Sequence, residues 1–516
     1  LAFSKAVELR RESFVLAIVL VLLFQITPAS SQPQGTQASQ LPLSGRSAQG
    51  GSVTTTQTAI PGTTNSINTI NPAVQVQGPF TGSASSTARL PFSGRLSLRE
   101  AVDRAIEFNL GAVGLTSAVR QARGQSKIAR SALLPNINAS LSETAQQTNL
   151  QALGVRFNVP IAGFSPPTIV GPFNYFDLRA TLSQTVLDFT ARDNYRASKE
   201  ITRANELSVA DARDLVVLAV GGTYLQVIAA KARIDAARVQ LTTAEALYKQ
   251  TSEQRAAGVV AQTDLNRSQI QLLTQQQRLL SLENDYAKIK ISLARLAGLP
   301  ANDSYEISDV IPFAEAPPLS IDEALKQAYE QRADLKAAEA QVEAAERARS
   351  AARAERLPSF AVRADYGVIG TNPSQAHGTF SVSGSIRVPI WQGGRTQGQT
   401  EVAEAALSQR RAELEDVRGR IESEVRNAYF DLQAAASQVE VARRNITVST
   451  QNLDLTRQRF DAGVSDNVEV VQSQEALSTA NTDYINSVFA HNLAKLSLAR
   501  AVGRAVEALP QFLKIQ

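Results

Sequence analysis

Cysteine and methionine are absent from the 516 residues, histidine occurs twice and tryptophan once. Without cysteine there is no disulfide, no thiolate metal site, no thiol nucleophile and no thiol to carry an N-terminal lipid. His377 and His491 stand in unrelated contexts, so a histidine-based catalytic or metal centre lacks raw material. A strong charge imbalance is missing too, since 52 Lys plus Arg face 48 Asp plus Glu. No basic run interleaved with aromatics occurs, which argues against a nucleic-acid partner. "WQGGR" (391–395) lacks the Lys-Ser/Thr ending of a phosphate loop and reads as a strand-to-helix turn. The sequence offers no cofactor site, no metal site and no catalytic group, and an enzyme is not expected.

Long apolar runs are confined to the start. "FVLAIVLVLLF" (Phe14 to Phe24) follows Lys5, Arg10 and Arg11 and precedes "PASSQ", the pattern of a secretory signal peptide over 1–31. The run is shorter than the ~20 residues of a comfortable membrane span, which favours cleavage over an anchor. Residues 32–93 are rich in Ser, Thr, Gln, Gly and Pro and carry only Arg46 and Arg89 as charges. So little apolar surface predicts a disordered leader.

What is abundant is repetition. "LSLREAVDRAIEFN" (96–109) returns as "LSIDEALKQAYEQR" (319–332), and Pro135 and Pro358 follow at the same offset. "GGTYLQVIAAKARIDAARVQL" (221–241) aligns with "RNAYFDLQAAASQVEVARRNI" (426–446), and "ISLARLAG" (291–298) with "LSLARAVG" (496–503). The chain reads as a tandem duplication, one copy over 94–300 and the other over 319–507. A Pro-containing linker (301–318) joins them, and 508–516 form a tail.

In each copy an Ala-rich helix stops at a Leu-Pro pair, where the residue before proline is driven toward extended geometry. Polar and apolar residues then alternate, predicting strands near 136–146 and 174–187, and near 359–369 and 379–389. Very long helices follow. Val425, Leu432, Val439, Ile446 and Leu453 recur every seventh residue, beside a smaller seam of Ile421, Ala428, Ala435, Ala442, Ser449 and Thr456. The first copy repeats both, with Val220, Val227 and Ile234 beside Thr223, Ala230 and Ala237. Heptads sustained this far mean coiled-coil packing. His491 falls on such a seam and is expected to be structural.

Four amphipathic strands leave two edges unpaired, and an open edge is intolerable in lipid. Closure needs several chains: eight strands give a filled interior, whereas twelve begin to leave a lumen. A polar interior favours a conduit; a periplasmic coiled-coil scaffold or tether without a pore is the alternative.

The duplicated "LS-x-x-EA" openings, Leu-Pro breaks, paired long helices and "AG" turns resemble the TolC-type outer-membrane efflux protein family over about 95–507. The resemblance implies a mainly α fold with a small β part, assembled as a homotrimer. Four strands per chain would build a twelve-stranded barrel in outer-membrane lipid, and the helices an α-barrel reaching across the periplasm. Partners implied are a periplasmic adaptor and an inner-membrane transporter of RND, ABC or MFS type. "AGVVAQTDLNRS" (257–268) and "RFDAGVSDNVEVVQS" (459–473) resemble the family's tip turns, placing Gly258, Val259, Gly463 and Val464 at the adaptor-docking end. At the constricted entrance the match gives Glu469 the place of an aspartate, Gln472 that of a second, and Phe460 that of a tyrosine. Ser465 stands where the partner arginine would be, so the usual polar latch is altered. Glu469 fits equally a ring of carboxylates at the mouth or, with Asp466, a helix capping box. Asp264, at the matching first turn, leans toward a helix-cap role.

Overall fold

The computed structural model describes residues 52–59, 70–84, 94–152, 154, 168–300, 304–309, 313–316, 318–462, 464 and 467–507. The expected signal peptide and the 508–516 tail lie outside these residues, as do Gly463, Ser465 and Asp466. The elements run β1 (Ser52–Ala59), β2 (Ile70–Gln77), β3 (Gly94–Leu96), α1 (Leu98–Phe108), α2 (Leu110–Ser131), β4 (Asn136–Asn149), β5 (Ile169–Leu187), α3 (Phe189–Ala256) and α4 (Gln262–Leu296). They continue with β6 (Tyr305–Ile307), α5 (Ile321–Gln331), α6 (Ala333–Ala354), β7 (Ser359–Gly370), β8 (His377–Arg387), α7 (Arg395–Asp461) and α8 (Asn467–Val502). Two short helices, two strands and two long helices thus follow one another twice.

The repeated opening phrase is a helix start. Ser97 Oγ accepts from Glu100 N at 3.2 Å to begin α1. Ser320 Oγ accepts from Glu323 N at 3.3 Å while Glu323 accepts from Ser320 N at 3.1 Å, closing a capping box on α5. Two otherwise orphaned amides are satisfied at once. The Leu-Pro pairs act as read: α2 and α6 end before Pro135 and Pro358, and β4 and β7 begin directly after them.

Helices α3 and α7, 68 and 67 residues long, each extend about 100 Å at ~1.5 Å per residue. Their small seams are buried throughout: Thr223, Ala230, Ala237, Ala244 and Thr251 in one, and Ile421, Ala428, Ala435, Ala442, Ser449 and Thr456 in the other. Small side chains let the neighbouring helices approach closely along that line. One 18-residue window of α3 is apolar enough to cross a membrane, yet 72% of it is buried, as a core helix requires. His491 is buried on α8 with its ring 4.8 Å from that of Phe313. Burial, then the neighbouring Lys495, pushes its pKa down to about 4, which suits a neutral packing residue.

The leader departs from expectation. Its described part is not disordered: β1 and β2 pair antiparallel along their whole length, and Val53 and Phe80 are buried. Val74 and Val76 of β2 pack against the core that α3 and α8 share. Gly222 of α3 provides the seat, because a Cβ there would stand 2.2 Å from a Val74 methyl. The ordering entropy is offset by a groove on other elements, which the composition of 32–93 alone does not display. A second unforeseen pairing is parallel, β3 with β6, joining residues 94–96 to 305–307.

Candidate channel wall and tip turns

β4, β5, β7 and β8 form one antiparallel sheet in that order. Because side chains alternate across a strand, register decides what each face presents. Ser140, Arg179, Gly367 and Thr379 make one cross-strand row, and Asn138, Thr181, Asp365 and Ser381 the next. The opposite face carries Leu141, Leu178 and Val368, then Ala139, Ala180, Tyr366 and Phe380, then Ile137, Leu182, Ala364 and Val382. These are apolar yet uncovered: Ile137 is 73% exposed and Phe380 77%. In water so large an apolar surface is costly, and it marks a face made for lipid or another partner. Among the described residues, β4 and β8 each have one edge unpaired.

Aromatic residues mark the strand ends. The rings of Phe173 and Tyr175 lie 6.4 Å apart on β5, and Trp391 beyond β8 is 88% exposed. The "WQGGR" segment is the turn expected of it, with Gly393 and Gly394 at φ 61° and 84° leading into α7.

On the polar face Arg179 is held on three sides. Its Nε donates to Asp177 Oδ2 at 3.2 Å, its Nη1 to Asp365, and its Nη2 to Thr379 Oγ1 at 3.2 Å. Asp365 also accepts from the Ser381 hydroxyl. The alternation of polar and apolar residues accounts for the face Arg179 and Asp365 share but not for their pairing, which joins residues 186 positions apart.

At the other end of the long helices the two tip turns share one hydrogen-bond pattern. Val259 N donates to Gln254 O at 2.9 Å, and Val464 N to Arg459 O at 2.9 Å. Gly258 takes φ +76°, the left-handed conformation that closes a helix C-terminus. Val259 and Val464 project outward, 73% and 70% exposed. Asp264 pairs with Arg267 one turn along α4 at 3.2 Å, and Ala261 before α4 offers no side-chain cap.

Glu469 lies in the first turn of α8, with Oε2 3.6 Å from Arg459 Nη1 of α7. This partner was not foreseen, although Arg459 stands next to Phe460 in the tip motif. The structure brings Phe460, half-buried, and Glu469 to the same turn, with Gln472 exposed on the following one. Gln250 Nε2 reaches Asp461 Oδ1 at 3.4 Å, linking the two tips.

An open-edged sheet with one apolar and one polar face, carried on helices of this length, is the architecture of outer-membrane channels. The outer-membrane channel CmeC of Campylobacter jejuni superposes with a TM-score of 0.68 at 19% identity, over 83% of this chain and 92% of that one. The VceC outer membrane protein of Vibrio cholerae gives 0.66 at 19% identity, over 79% and 96%. In sequence, the pyoverdine export outer membrane protein OpmQ of Pseudomonas putida is 24% identical over 76% of this chain and 82% of its own length. The profile of the outer membrane efflux protein family matches residues 115–299 and 324–504, more than half of the chain. The chain belongs to that family, and its place is the outer membrane.

Proposed function

We propose that this chain is one third of a passive exit duct through the outer membrane. Three copies, each a tandem duplicate, close β4 of one against β8 of the next into a twelve-stranded barrel. The polar face surrounds water and the apolar face meets lipid, while the long helices continue the bore across the periplasm. The observation that carries this reading is the four-stranded sheet with two open edges and an uncovered apolar face. In hydrocarbon each unpaired backbone group costs several kcal/mol, so an open sheet must close. Four strands make too small a ring, and twelve leave a lumen.

A duct of this kind performs no chemistry, and its energy comes from an inner-membrane transporter of RND, ABC or MFS type. A periplasmic adaptor docks at the tip turns around Gly258, Val259, Gly463 and Val464. Glu469, Gln472, Phe460 and Asp264 line the entrance there, with Arg459 supporting Glu469. The test is purification in detergent followed by bilayer reconstitution. A heat-modifiable trimer with channel conductance is expected; a monomer soluble without detergent would overturn the reading.

A further inference from the structure

The polar face of the sheet is not uniformly charged along its length. From the loop end toward the helices, its ionic side chains are Asp177, Arg179, Asp365, Arg363 and Arg387, two residues or more apart on one face. The first three form a closed set. Arg179 lies flat across β7, reaching Thr379 two strands away, and Gly367 beneath it leaves the room. A Cβ on Gly367 would stand 2.9 Å from Leu178 O and 3.1 Å from Arg179 Cβ. With carboxylates on both sides, Arg179 is drawn onto the wall, and the set of three keeps one net negative charge.

The last two differ. Arg363 is exposed, sits in a row with Asn136, Ser183 and Ser383, and has no carboxylate partner among the described residues. Asp365, two residues along on the same face, turns its two oxygens to Arg179 and Ser381 and makes no ion pair with it. Arg387 is exposed as well, opposite Ser359 on the same face. The carboxylates at the adjoining helix ends are engaged elsewhere: Asp188 accepts from Ala191 N at 2.9 Å, and Glu355 lies 3.6 Å from Arg395.

We infer that Arg363 and Arg387 form an anion-selecting layer on the helix side of the barrel wall, through which small anionic solutes pass in preference to cations of like size. The inference rests on the proposed closure of the sheet with its polar face around water. Three chains then set six guanidinium groups around two successive levels of the bore, four residues apart along the strands, beyond a set that keeps one net negative charge per chain. Fixed charges of one sign in a narrow aqueous passage raise the local concentration of the opposite ion.

The test uses the full-length trimer in planar bilayers under a KCl gradient. The double variant R363Q/R387Q is expected to conduct and to lower the chloride-to-potassium permeability ratio about three-fold, with R363K/R387K close to wild type. A conducting Gln variant with an unchanged ratio would end this inference and leave the duct reading intact. A wild-type trimer without conductance would instead end the duct reading, and the layer with it. Should the Gln variant fail to insert, sodium tripolyphosphate added to the wild-type channel decides: reduced current supports the layer, and undiminished current overturns it.

Discussion

Asn109 and Arg332 occupy the same place in the two halves, the elbow between each pair of short helices, and each half secures that elbow differently. Asn109 is fully buried and neutral; its amide donates to Phe80 O at 2.8 Å and accepts from Gly111 N at 2.9 Å. The leader supplies Phe80 from the turn Gly78–Thr81 just after β2, so the first elbow is closed by a segment from outside the two halves. Arg332, 1% exposed, instead gathers charge from its own half. It donates to Asp334 at 2.9 and 2.7 Å, to Glu424 at 2.6 Å and to Ala501 O at 3.3 Å. Gly503 at φ +83° comes close to its backbone, where a Cβ would lie 3.0 Å away. One fold can thus hold an elbow with an apolar cover and an amide, or with an ion cluster and no cover.

The contrast predicts unequal damage. R332A should cost most, roughly 3–5 kcal/mol, because it leaves Asp334 and Glu424 without their buried counter-charge. Denaturant unfolding of the detergent-solubilised protein measures it, and a loss below about 1 kcal/mol would mean that helix packing alone holds the elbow. N109A should cost less, about 1–3 kcal/mol, since only amide hydrogen bonds are lost. Replacing Gly222 by valine should lift the hairpin off α3 and expose 52–77 to protease while the helical signal persists. An unaltered digestion pattern would mean that the hairpin is not seated there.

A pH effect sharpens the comparison where the halves meet. Asp214 of α3 accepts from Val506 N at 3.3 Å, and burial, partly countered by Arg500, pushes its carboxyl up to about 6. Raised above its unfolded value, this group favours the folded state while protonated and loses that contribution as pH rises from about 4 to 6. Asp334 has the opposite sign: despite burial, its hydrogen bonds to Arg332 keep it low, so its contribution is lost only as pH falls below about 4. D214N should therefore gain on wild type in melting temperature at pH 7.5 relative to pH 5. Equal differences at both pH values would contradict the assignment. The smallest stability effect belongs to the tip: E469A should change stability by less than about 1 kcal/mol, as exposed ion pairs do. It should nonetheless shift the chloride-to-potassium permeability ratio of the reconstituted channel further toward chloride, and an unchanged ratio would reduce Glu469 to a partner of Arg459.

Much of this architecture could be read from pattern, because periodicity is itself a packing rule. A heptad says which face is buried, and alternation says which strand face is apolar; both concern residues near one another in sequence. The repeated opening phrase was legible for the same reason, although the capping box of Ser320 and Glu323 within it is a finding of the structure. What could not be read depends on distant partners. Arg332 lies in an ordinary "EQRADL" and looks like a solvated charge until Glu424 and Ala501 are brought to it. Val53 and Val74 look too sparse to order a leader until the shared core takes them in and Gly222 makes room for Val74. The tip turns were legible as glycine turns, but the Arg459–Glu469 pairing needed two helices in register.

The sheet's two free borders are unlike, one belonging to β4 and the other to β8. In the proposed ring every subunit therefore joins its neighbour head to tail, and one border left unpaired opens the whole ring. A copy whose β8 border is spoiled, for instance by proline, still offers a sound β4 and is still recruited. Expressed beside the normal protein it should poison assemblies, with intact rings falling as the cube of the healthy fraction.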